Sequence, residues 1–66
     1  MITLCSIPGR AEAVVMERLR ARFPQAGLSV RRGTHSSKVR IQLDESTVPQ
    51  AQVATIAMEA RTITGQ

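Results

Sequence analysis

The chain has 66 residues, one cysteine, one histidine, no tryptophan or tyrosine, and nine basic against five acidic side chains, a net charge of +4. That length makes a single domain, residues 1–66, whose core is small enough to be marginal without help. A lone cysteine excludes an internal disulfide and fits a reducing compartment; one Cys with one His cannot supply the four ligands of a structural zinc. No apolar run approaches the roughly 20 residues of a membrane span, and the start lacks the regions of a signal peptide. A cytoplasmic protein without metal or cofactor is the expectation. A basic balance on a small domain favours an anionic partner or simply keeps it soluble.

In chain order, Ile2 to Ser6 sets Ile2 and Leu4 against Thr3 and Cys5, the period of a half-buried strand. Pro8 suits the first position of a helix, where its missing N–H has no partner to lose. Helical spacing follows: Ala11, Val15, Leu19 and Phe23 form one stripe, widened by Glu12 and Met16. Glu12 reads as a first-turn acid placed well against the helix dipole. Pro24 stops the helix and Gly27 completes the exit, with Phe23, the one aromatic residue, anchoring the core.

Leu28 and Val30 then alternate with Ser29 and Arg31, and Val39, Ile41 and Leu43 alternate with Lys38, Arg40 and Gln42. These are two amphipathic strands. Between them, residues 32–37 are turn material. The cleaner alternation of Val39–Leu43 places it centrally. Thr47 with Gln50 forms a capping box, and a last helix carries Val53, Ile56, Ala57, Ala60 and Ile63 on one side. Gly65 marks the fraying end.

The order strand, helix, strand, strand, helix predicts a two-layer α+β domain. Its three-stranded sheet has the order 1-3-2 and both helices on one face. The other face, carrying Thr3, Cys5, Ser29, Arg31, Lys38, Arg40 and Gln42, is open in a monomer.

Catalysis is not indicated. Cys5 and His35 are the only plausible nucleophile and base, and the topology sets them apart; Asp44 and Glu45 are adjacent on a strand end and point to opposite sides. Arg31, Arg32, Lys38 and Arg40 come from neighbouring strands and form a candidate anion-binding cluster. Without aromatic platforms such a sheet contacts nucleic-acid backbone and reads little sequence. Arg31 and Lys38 can equally guard strand edges, and two copies can pair edges or stack faces into a homodimer.

The helix ending Arg22-Phe23-Pro24, the strand Leu28-Ser29-Val30-Arg31-Arg32-Gly33, the short polar turn, the alternating strand and the closing helix resemble the DinI-like family of small bacterial proteins. The resemblance runs from about Ala11 to Arg61. It implies a non-enzymatic role: binding RecA filaments on single-stranded DNA and adjusting their activity in the SOS response, as chromosomal, plasmid and prophage members do. It also implies a partner surface on the last helix, where the family carries an acidic face. Here only Glu59 lies on that helix, with Asp44 and Glu45 at its entrance. Gln52, Thr55 and Met58 stand where acids are expected.

Overall fold

The computed structural model describes residues 1–34 and 36–65. Strand β1 spans Ile2–Pro8, helix α1 Glu12–Arg22, strand β2 Gly27–Arg32, strand β3 Lys38–Asp44 and helix α2 Gln50–Thr64. Short 3-10 turns, Gly9–Ala11 and Glu45–Thr47, precede the two helices. The sheet has the order β1-β3-β2, and β3 is antiparallel to both neighbours. The α+β architecture and the central place of β3 are those expected from the alternation.

Val39, Ile41 and Leu43 of β3 are buried beneath the helices, while Lys38 and Arg40 between them are exposed. From α1, Val15, Met16 and Leu19 enter this core; from α2, Ile56 and Ala60 do so, with Val53, Ala57 and Ile63 packed at its margin. The small side chains at 57 and 60 let α2 approach the sheet closely. Gly65 closes α2 with φ 75°, its N–H donating to the carbonyls of Arg61 and Thr62. It is a left-handed helix stop of the kind glycine adopts without a steric penalty.

Five local expectations are corrected. A register shift in β1 between Thr3 and Cys5 inserts Leu4 as an extra residue, so Ile2 faces Leu43, Thr3 faces Gln42 and Cys5 faces Ile41. The bulge moves Cys5 onto the helix-covered side, where it is buried beside Leu4, and Ser6 takes the open-face position opposite Arg40. Period-two reading fails wherever one residue is added to a strand.

Pro8 ends β1 opposite Lys38 and caps the 3-10 turn Gly9–Ala11 that leads into α1, one place before the first helical position expected of it. Gly27 begins β2 rather than finishing the helix exit. Phe23, at the C-terminal cap of α1, is only half-buried; the largest fully buried side chains among the described residues are Ile7, Leu19, Ile41, Leu43, Ile56 and Val39. The capping box is absent. Pro49 occupies the cap of α2 without a side-chain bond, because the Thr47 hydroxyl donates to the Asp44 carbonyl at 2.6 Å and accepts from the Gly27 N–H at 2.8 Å. A side chain at residue 27 would put Cβ 2.9 Å from the Thr47 methyl, so glycine is needed for this close approach.

Candidate anion-binding face of the sheet

The two ladders fix which side chains share the uncovered face. Facing residues of antiparallel strands point to the same side. Ser6 lies opposite Arg40, Arg31 opposite Arg40, Ser29 and Thr3 opposite Gln42, and Pro8 opposite Lys38. Arg31, Lys38 and Arg40 therefore stand together, all exposed, at the hairpin end of the sheet. With Ser6, Arg32, Gly33 and Ser36 they line an open depression of about 360 Å³.

Arg31 and Arg40 face each other directly on adjacent strands, an arrangement that is destabilising for two like charges. Among the described residues no acid forms an ion pair with Arg31, Lys38 or Arg40; the ion pairs present are Met1–Glu45, Arg22–Glu59 and Arg32–Glu12. Three cations held close, without carboxylates to neutralise them, make an electropositive surface ready for an anion.

Arg32 does not belong to this set in the same way. It faces Val39 and thus lies on the helix side, where its guanidinium donates to Glu12 Oε1 at 2.6 Å. Glu12, read from sequence as a dipole partner at the start of α1, is also the counter-ion of the strand's last residue. The first role is local, since the acid sits in the first helical turn; the second joins residues 20 apart in sequence, at the end of β2.

The three carboxylates of the expected acidic surface are divided between the end of β3, with Asp44 and Glu45, and α2, with Glu59, and all are internally engaged. Asp44 Oδ1 accepts from the Ser46 N–H at 3.1 Å and from the Ser46 hydroxyl at 2.6 Å. These bonds hold its carboxyl below the usual range, the hydroxyl bond contributing most. Glu45 pairs with the Met1 ammonium at 2.9 Å, which likewise lowers its pKa. Glu59 lies well along α2, 3.4 Å from Arg22 of α1.

Of the catalytic candidates, Cys5 is buried in the core, and burial pushes its thiol pKa up against a smaller opposing effect of Arg61. His35 lies outside the described residues. Gly33 lacks the positive φ of an anion-cradling nest, since Gly65 alone among the described residues has one. No helix among the described residues is long and apolar enough to cross a membrane.

Sequence reasoning missed two members of this neighbourhood. Ser6 was hidden by the bulge, and Ser36, whose hydroxyl accepts from the Lys38 N–H at 3.1 Å, carried no signal beyond turn composition. Comparison with protein families, with curated proteins and with solved structures returns no match to this chain.

Proposed function

We propose that this protein is a non-enzymatic, cytoplasmic regulator of the DinI-like kind, binding RecA filaments on single-stranded DNA and tuning the SOS response. The observation that carries the reading is the β-α-β-β-α order with sheet order 1-3-2, built on the Arg22-Phe23-Pro24 and Val30-Arg31-Arg32-Gly33 stretches. Fold by itself does not assign a partner. The contact in this reading runs through Arg31, Lys38 and Arg40, because Asp44, Glu45 and Glu59 already have internal partners. A buried, protonated Cys5 supports a role without nucleophilic chemistry. Co-sedimentation with RecA filaments at low salt tests the assignment: the protein pellets with filaments, and the Arg31→Gln, Arg40→Gln double variant pellets less. Absence of the wild-type protein from the pellet removes RecA as partner.

The uncovered cations favour a second reading, a small basic protein that binds nucleic-acid phosphate backbone with no RecA present. The open face offers charge and hydroxyls but no aromatic platform, so backbone contact with little sequence preference follows. Anisotropy of labelled single-stranded DNA without RecA separates the two. Salt-sensitive binding to naked DNA supports the second reading, and binding only to the filament supports the first.

A further inference from the structure

The two edges of the sheet are not equivalent. The Gly9 N–H donates to the Ser37 carbonyl at 2.9 Å, which extends the β1–β3 ladder and sets its hydrogen-bonding phase. Odd-numbered residues of β3 therefore bond toward β1 and even-numbered ones toward β2, since bonded and non-bonded pairs alternate. The Gly27 N–H, directed to Thr47 just beyond β3, agrees with this phase. On β1 the backbone groups of Ser6 and Pro8 consequently point outward, and on β2 those of Leu28, Val30 and Arg32.

Pro8 has no N–H to offer, and the bulge at Leu4 interrupts the line of β1. Both are devices that stop an edge from pairing. The β2 edge has neither. Its inner side chains, Leu28 and Val30, are only half-buried, although they face Leu43 and Ile41 at the centre of the core. Beside it runs an apolar groove of about 630 Å³ lined by Ala13, Met16, Ala21 and Val30, with Glu12, Glu17 and Arg20 on its rim.

The geometry points to a second copy of this chain as the occupant of that edge, β2 pairing antiparallel with β2 about a two-fold axis through Ser29. Two registers keep the apolar side chains on the helix side. Centring on Val30 sets Leu28 opposite Arg32 and brings the two Arg31 side chains within a diagonal of each other, roughly 7–8 Å. Centring on Ser29 sets Leu28 opposite Val30 and Arg31 opposite Gly27, and separates the arginines by about four residues of strand, roughly 13 Å.

The second register also places Arg31 two strand spacings, about 10 Å, from the other copy's Asp44 across a position without a side chain. Asp44 lies on that same face, its Cβ 3.3 Å from where a Gly27 Cβ would stand. Charge and shape thus choose the Ser29-centred pairing. A rim bearing both Glu17 and Arg20 is self-complementary under the same axis. The result is a six-stranded sheet whose open face carries both sets of cations.

Sedimentation equilibrium over a range of protein concentrations, with cross-linking, tests this. Ser29 faces its own symmetry mate in a non-hydrogen-bonded pair, with Cα atoms about 4.5 Å apart, inside disulfide range. Mild oxidation of Ser29→Cys is expected to give a covalent dimer, whereas Thr3→Cys on β1 gives none. Arg31→Asp turns two attractions to Asp44 across the axis into repulsions and is expected to weaken dimerisation by about tenfold at low salt. Val30→Pro removes an outward N–H and leaves a folded monomer; should it fail to fold, the Ser29 cross-link still decides. A wild-type protein monomeric at every concentration overturns the inference. So does a Thr3→Cys dimer in place of the Ser29→Cys one, which would mean that another strand carries the contact.

Discussion

Replacing Arg40 by Gln separates a binding role from a structural one, because the two respond with opposite signs. Arg40 faces Arg31 on the adjacent strand, and neither has a carboxylate partner among the described residues. With charge centres roughly 7 Å apart in water, their repulsion is about 0.6 kcal/mol at low salt. At physiological ionic strength, where the Debye length is about 8 Å, it falls to about 0.25 kcal/mol. Gln keeps much of the side-chain length and removes the charge, so the variant should be more stable by that amount. For a domain this small, 0.6 kcal/mol corresponds to a rise in Tm of about 2–5 °C.

Binding should move the other way. Three cations on single-stranded nucleic acid give a log–log salt slope of about −2.1, at about −0.7 per phosphate. Wild-type affinity then drops roughly twentyfold between about 50 and 200 mM salt, and that of the variant, with two cations, roughly sevenfold. Thermal melts at low and high salt, together with DNA anisotropy over the same range, read both quantities. A variant that melts no higher at low salt and keeps the wild-type slope refutes the claim that these side chains form one strained, anion-seeking cluster.

Other residues give sharper structural tests. Gly27→Ala should cost about 1–3 kcal/mol in urea denaturation, as overpacking does, and Thr47→Ser should recover much of it by removing the methyl while keeping the hydroxyl. Glu12→Gln, which breaks an exposed pair with Arg32, should change stability by less than about 1 kcal/mol. Cys5 should resist thiol reagents in the folded protein and react once denaturant opens the core, the rates being followed by absorbance. Asp44 titrates below its unfolded value of about 3.9, so its contribution is fully present above that pH and is lost as pH falls through the lower folded value. Ser46→Ala removes the largest cause of that shift, and NMR titration should place the Asp44 midpoint at higher pH than in the wild type.

The fold was legible because its central strand is unambiguous. Val39, Ile41 and Leu43 alternate with Lys38, Arg40 and Gln42 without interruption, and all three apolar residues are buried. The stripes of α1 and α2 were legible for the same reason: Val15 with Leu19 and Ile56 with Ala60 recur one turn apart. Cys5 was misplaced because a bulge is a property of pairing, set by β3 rather than by the residues of β1. Thr47 looked like a helix cap, yet its hydroxyl is claimed by the Asp44 carbonyl three residues earlier and by Gly27, which only the folded hairpin brings near. Arg32 was read as the first turn residue and grouped with Arg31, whereas it is the last residue of β2, and strand parity sends it to the helix side and to Glu12.

The Gly27–Thr47 contact also guards against slippage. A five-residue connection, 33–37, joins β2 to β3, and a strand sliding by two positions would keep every apolar side chain on its proper side. Such a slide would bring Ser29 to the place of Gly27, driving a side chain into the methyl of Thr47, whose hydroxyl the amide at that position bonds. Misalignment is thus penalised at the far end of the hairpin from its turn, by the same short segment that launches α2.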